Sequence, residues 1–146
     1  METIWAKNEG VGIPYGFGFV PNDVFDDESK TFLFGPTRYG LTCVTFVLAV
    51  LRLGGVVVID ESTWPWRSED RIWQEQVMSH LRGQASSEAD RAHLEYLDTQ
   101  LGTPRQRPQE VGAAVLHGDY PAPVSEAISI GARMHGCLSA SGTALP

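Results

Sequence analysis

The strongest constraint on the fold is the apolar segment 41–53, LTCVTFVLAVLRL, in which Arg52 is the only charged residue. In a helix of this sequence apolar side chains lie on nearly every face, so the segment predicts a helix inside the protein and not on its surface. Thr42 can cap its N-terminus, and Gly54-Gly55 can end it. The segment is too short for the ~20 residues that a membrane-spanning helix needs.

A β-branched run follows this helix almost directly. Val56–Ile59, closed by Asp60, predicts a buried strand, and Thr31–Phe34 between turn residues predicts a second, short one. We therefore expect an α+β fold in which a buried central helix carrying Cys43 packs against a small sheet. Several amphipathic helices should follow, one capped by Ser68, one opened by Ser86 or Ser87, one at Gln109–Leu116 behind Pro108, and one near Val124–Met134.

Length and composition predict a single folded unit. The chain has 146 residues, 42% of them hydrophobic and 20% charged, with no internal repeat and no long linker. A chain of this size can bury about 70% of the surface of its unfolded state, enough for a core. We expect one globular domain over residues 1–135 and a disordered tail, small and polar, over 136–146.

Net charge and cysteine content limit the kinds of partner and cofactor that we expect this protein to bind. Eleven Lys and Arg against eighteen Asp and Glu give a net charge of −7, which disfavours nucleic acid and anionic membranes. Cys43 and Cys137 form no zinc motif, and the glycine-rich and acidic segments match neither a phosphate loop nor an EF-hand, so no cofactor or metal is expected. The start lacks the features of a signal peptide, which favours a cytoplasmic protein.

Cys43 is the residue best placed for chemistry. A thiolate attacks carbonyl carbon, and the dipole and unbonded N–H groups of a helix N-terminus favour the anion and can also stabilise an oxyanion. The alternative is a small apolar residue in the core, where cysteine is common. Spacing alone leaves both interpretations open.

The segment Tyr39–Val47, YGLTCVTFV, resembles the nucleophile helix of the papain-like cysteine hydrolase superfamily, in which a small or polar residue precedes the cysteine and an apolar helix follows. It is most similar to the bacterial NlpC/P60-related and circularly permuted branches, which include peptidases, amidases and lecithin:retinol acyltransferase-like enzymes. The resemblance extends through Val56–Ile59. It implies that Cys43 is the nucleophile and that a histidine on a neighbouring strand is the general base.

The histidine that the resemblance implies as general base has no clear counterpart in this sequence. The permuted order requires a histidine before Cys43, but none precedes it. The four histidines that follow, at positions 80, 93, 117 and 135, lie in no clear strand. His80 and His93 are expected to be partly exposed helix residues. His117, in the sequence HGD, is the candidate base because a carboxylate follows it, although histidine is favourable at a helix C-terminus in any case. A histidine-bearing strand encoded upstream of this start is a further hypothesis.

Three functions agree with these observations. The first is a thiol hydrolase or acyltransferase that acts through Cys43 on an amide or ester in a small-molecule or peptide substrate. The second is an inactive remnant of such an enzyme that binds a partner. The third is a small helical interaction protein in which Cys43 only packs. No group of residues in the sequence indicates which of these substrates is used, and nothing indicates the oligomeric state.

Overall fold

Five α-helices make up most of the part of the protein that the structure describes. A computed structural model describes residues 6–9, 12–18, 24–26, 28–33 and 40–140, with only the backbone for 134–140. A short 3-10 helix at Glu61–Thr63 lies between the first two helices. The helices are α1 at Cys43–Leu53, α2 at Ser68–Gln84, α3 at Glu88–Asp98, α4 at Pro108–His117 and α5 at Val124–Ala140. In this part of the chain no helix is long and apolar enough to cross a membrane.

The described residues form no sheet, so the prediction of an α+β fold is wrong. Val56–Ile59 is extended, but its only ladder contact is an isolated parallel bridge between Ile59 and Ala122. The Ala122 N–H donates to the Val58 carbonyl (2.9 Å). The ladder ends there because the next donor in register, the Val124 N–H, donates to the Thr63 hydroxyl instead (3.0 Å) and Val124 begins α5. A β-branched run therefore gave an extended segment and no strand.

The other predicted strand is equally short. Within Thr31–Phe34, Phe32 forms an isolated antiparallel bridge with Phe25, and the two rings meet edge to face with centroids 5.8 Å apart. Phe34 lies outside the described residues. The pair belongs to an apolar cluster with Leu41 and Ala49, so this part of the chain covers one side of α1 as a loop.

The bounds of α1 confirm the predicted cap and stop. The Thr45 N–H donates to the Thr42 hydroxyl (3.1 Å), and the Thr42 N–H donates to the Thr45 hydroxyl (2.8 Å), which is a reciprocal capping box. At the other end the Gly54 N–H donates to the carbonyls of Leu51 and Val50. The local sequence was sufficient to predict both ends of α1, because every hydrogen-bond partner lies within four residues.

The predicted burial of α1 and of Cys43 is wrong. Val44 and Leu48 pack into the core, whereas Cys43 is exposed and Val47 retains 48% of its surface. Two apolar clusters contact α1, one through Val44 and Leu48 and the other through Ala49, but Phe46 and Val47 remain exposed like Cys43. Hydrophobic residues are common on protein surfaces, and an apolar sequence alone does not decide how many sides of a helix are covered.

The later helices agree with prediction more closely. Ser87 caps α3 together with Asp90, and the N–H groups of Ser86 and Ser87 that donate to its carboxylate lower the pKa of Asp90 to about 2. Ser68 does not act as a cap: it is the first residue of α2. Pro108 begins α4, and Gly118 with φ 85° follows its end, as expected. Helix α5 continues past Met134 to Ala140, and residues 141–146 of the predicted tail lie outside the described part.

Two buried ion pairs join the start of α2 to the start of α4. Arg107, just before α4, contacts Asp70 in α2 (2.7 Å), and Arg67, just before α2, contacts Glu110 in α4 (2.9 Å). Asp70 is 1% exposed and Glu110 5%. Burial opposes the charge of Arg107, but its bonds to Asp70 and Glu69 and the nearby charge of Glu110 outweigh the effect and raise the pKa of Arg107. The two pairs therefore set how the helices meet.

A buried amide holds the connection between α3 and α4 in the same region. The Gln74 side chain in α2 accepts from the Gly102 N–H (2.7 Å) and donates to the Thr103 carbonyl (3.0 Å). Gln74 is fully buried, and these bonds satisfy both ends of its amide. The segment 102–107 therefore follows the surface of α2 closely.

We expect Arg107→Met to lower the free energy of unfolding by about 3 kcal/mol, because Asp70 would lose its shortest partner while staying buried. Urea unfolding at neutral pH measures the change. Arg71→Met is the matched control: its pair with Glu75 is exposed, and its loss should cost less than about 0.5 kcal/mol. Equal losses in the two variants would contradict a structural role for the buried pair.

Candidate functional site

Cys43 is the first residue of α1, and its thiol is free and exposed. The Thr42 side chain and carbonyl accept from the N–H groups of Thr45 and Phe46 (3.1 and 2.9 Å). No described residue accepts a hydrogen bond from the N–H groups of Cys43 or Val44, which lie in the first turn where a helix provides no partner of its own. An accessible sulfur therefore lies beside two backbone donors.

A second segment packs against the residues that enter α1. The Leu41 N–H donates to the Pro14 carbonyl (2.9 Å). The backbones of Gly16 and Gly40 touch so closely that a Cβ on Gly40 would overlap the carbonyl of Tyr15, and one on Gly16 would overlap that of Gly40. Two glycines thus allow Tyr15 to lie next to the start of the helix.

The Tyr15 side chain is half-buried. Burial raises the pKa of Tyr15; the positive charge of Arg105 opposes that shift, and the thiol of Cys43 adds to it. The Tyr15 phenol therefore lies within electrostatic range of both groups. A tyrosine hydroxyl is protonated at neutral pH in any case and can donate a hydrogen bond. No described residue bonds to it.

The Arg105 guanidinium lies over an aromatic side chain. Its guanidinium carbon is 3.6 Å from the ring centroid of Trp73. Trp73 meets Phe17 edge to face (5.9 Å), and Phe17 meets Tyr15 in the same way (5.7 Å), so a row of three rings connects the arginine to the phenol. Burial lowers the pKa of Arg105, and the nearby charge of Asp70 acts in the opposite direction.

His93 is the histidine that reaches this segment. Its Nε2 lies 2.8 Å from the Tyr15 carbonyl oxygen. A carbonyl oxygen only accepts, so Nε2 carries the hydrogen and Nδ1 is left for other partners. The ring is half-buried on α3, which agrees with the expectation of a partly exposed helix residue. The sequence did not indicate that it would contact the segment beside Cys43.

His117 occupies the last position of α4 and is half-buried. Arg105 precedes the other end of this ten-residue helix, which is about 15 Å long. In the described part of the chain no hydrogen bond links His117 to Cys43, and their cooperation stays a prediction. His80 is exposed and contacts Gln84, and the side chain of His135 lies outside the described residues.

One further pattern in the sequence could have predicted part of this region. The segment TPRQRP places Arg105 and Arg107 between a glycine turn and the start of α4, and acidic residues open both α2 and α4. That pattern could have predicted ion pairs. It could not have shown that Arg105 lies over Trp73 instead, or that Tyr15 packs against Gly40, because these contacts join distant parts of the chain.

No group of three or more His, Cys, Asp or Glu side chains within the described ranges could hold a metal ion. No known protein family, curated protein or solved structure matches this chain. The geometry around Cys43 is therefore the basis on which a function can be argued.

We expect Gly40→Ala to cost at least about 2 kcal/mol of folding free energy, because the added Cβ overlaps backbone that cannot rotate away. Urea unfolding measures the loss. Gly12→Ala is the control, since a Cβ there meets nothing within 4 Å. Its effect should stay within about 0.5 kcal/mol. If the two variants were equally stable, the contact between the two segments would not be required.

Proposed function

We propose that this protein is a thiol enzyme of the hydrolase or acyltransferase class, with Cys43 as its nucleophile. The observation that carries the proposal is the exposed sulfur at the first residue of a capped helix, beside backbone N–H groups that no described residue uses. A cysteine kept only for packing would be expected in the core, and Cys43 is outside it. The resemblance of residues 39–47 to a papain-like nucleophile helix supports the same reaction class.

The proposed reaction has two steps. The Cys43 sulfur attacks the carbonyl carbon of an amide or ester, a C–S bond forms, and the C–N or C–O bond breaks as the leaving amine or alcohol takes up a proton. Water or a second nucleophile then attacks the thioester and releases the acyl group from sulfur. In both steps the N–H groups of Cys43 and Val44 would stabilise the negative charge on the carbonyl oxygen.

The proton acceptor has two candidates. The sequence favours His117, and the contact of His93 with the Tyr15 carbonyl supports His93, whose Nδ1 has no partner among the described residues. Replacing the true base by glutamine should lower the acylation rate by about 10²-fold or more, while the other substitution should leave it unchanged. Single-turnover kinetics with His93→Gln and His117→Gln distinguish the two.

Labelling tests the nucleophile directly. In a Cys137→Ser background, iodoacetamide should alkylate Cys43 at neutral pH about tenfold faster in the folded protein than in the urea-unfolded chain. Incubation with p-nitrophenyl acetate should release a burst of about one equivalent of nitrophenolate and leave the acetyl group on the peptide that contains Cys43. Equal labelling rates in both states, together with no acetylated peptide, would contradict the proposal.

A non-catalytic, partner-binding domain is the second candidate. It is favoured by large apolar side chains exposed at the end of α4, where Leu116 retains 67% of its surface and the Tyr120 hydroxyl donates to the Val115 carbonyl (2.6 Å). Exposed apolar groups of this kind often contact other proteins. For such a domain Cys43→Ala would leave the biological effect of the protein unchanged, whereas it would abolish the effect of a thiol enzyme.

A further inference from the structure

Gln100, two residues after the end of α3, has a buried side chain that binds the backbone of a distant segment. Its Oε1 accepts from the N–H groups of Phe17 (2.9 Å) and Gly18 (3.2 Å), and its Nε2 donates to the Tyr96 hydroxyl (2.8 Å). Two N–H donors require the oxygen of the amide at this place, which fixes the orientation of the amide. Residues 17 and 18 are therefore held against the end of α3.

The Phe17 side chain fixes the same segment between two helices. The ring is 2% exposed and belongs to an apolar cluster with Met78 of α2 and Leu97 of α3, both fully buried. Removing the ring from this cluster would return a large apolar surface to water, which opposes release of the segment. The segment is thus held at one residue through both its backbone and its side chain.

The held segment meets the residues before α1 only one or two positions earlier. The Tyr15 carbonyl oxygen lies 2.8 Å from Nε2 of His93, so α3 holds the segment at a second point. Between the two points, the backbone of Gly16 touches that of Gly40. Backbone atoms in such contact cannot move independently, so the position of residue 16 sets that of residue 40.

The residues at this contact lead directly into the first turn of α1. The Leu41 N–H donates to the Pro14 carbonyl (2.9 Å), and Leu41 is 6% exposed. The next residue, Thr42, caps the helix, and Cys43 follows. A helix N-terminus favours an anion only while the N–H groups of its first turn keep the helical direction. The support of residues 40 and 41 therefore affects the surroundings of the thiol.

We propose that Gln100 is a positioning residue for Cys43: through residues 14–18 it holds the entrance of α1, and with it the first-turn N–H groups beside the thiol. The inference rests on the proposed function and adds to it a residue 57 positions further along the chain. Gln100 acts through the segment, because its side-chain bonds go to Phe17, Gly18 and Tyr96.

The pH profile of alkylation is the first test. In the Cys137→Ser background, Gln100→Leu should lower the rate at which iodoacetamide alkylates Cys43 at pH 7 by about threefold and move the midpoint of the profile upward. Gln74→Leu is the matched control, since Gln74 is also a buried amide with two backbone bonds, but to residues 102 and 103. The control should lose stability in urea and keep the unsubstituted profile. Equal profiles in the two variants would overturn the proposal.

Hydrogen exchange tests the same link without a substitution and without the thiol. If residues 14–18 support the entrance of α1, the N–H groups of Phe17, Gly18 and Leu41 become exposed in one opening. Their exchange should then give the same opening free energy and the same urea dependence. Exchange at Leu41 through an opening that leaves Phe17 and Gly18 protected would overturn the proposal, whether or not Gln100→Leu folds.

The two tests separate the inference from the proposed function. An unchanged pH profile in Gln100→Leu, with fast labelling of Cys43, would overturn the positioning role and leave the thiol function in place. Labelling of the unsubstituted protein that is no faster than in the urea-unfolded chain would contradict the thiol function, and hydrogen exchange would then decide the link between Gln100 and α1 alone.

Discussion

The contact between the beginnings of α2 and α4 is the constraint on which the rest of this structure depends. Two arginines, Arg67 and Arg107, meet two buried carboxylates there, and each pair joins one helix to the segment before the other. Charges this deeply buried are stable only when paired, so the helices can approach in very few ways. The segment from 103 to 107 is fixed as a consequence, and with it the position of Arg105.

The same constraint connects the helical core to the candidate site. Arg105 lies on Trp73 of α2, and the row of rings leads from there to Tyr15, whose backbone is pressed against Gly40 at the entrance of α1. His93 of α3 reaches the Tyr15 carbonyl from another side. Residues 15–17, which pack against the entrance of α1, thus contact α2 and α3 as well.

Some features of the site could be predicted from the sequence and others could not. The cap at Thr42 and the position of Cys43 in the first turn depend on neighbours within a few residues, and both predictions were correct. The sheet was wrong because a strand needs a partner several residues long, and the segment opposite Ile59 enters helix α5 two residues after Ala122. The predicted burial of Cys43 was wrong, because burial depends on which other segments of the chain cover the helix.

The sequence by itself determined the local elements of this protein: where most helices begin, which residues cap them, and that one thiol lies at a helix start. These follow from short-range hydrogen bonds and backbone preferences. Only the tertiary structure decided that Cys43 faces solvent, that Tyr15 packs against Gly40 at the entrance of α1, and that Arg107 pairs with Asp70. Those outcomes depend on contacts between residues far apart in the chain, which packing selects and local sequence does not encode.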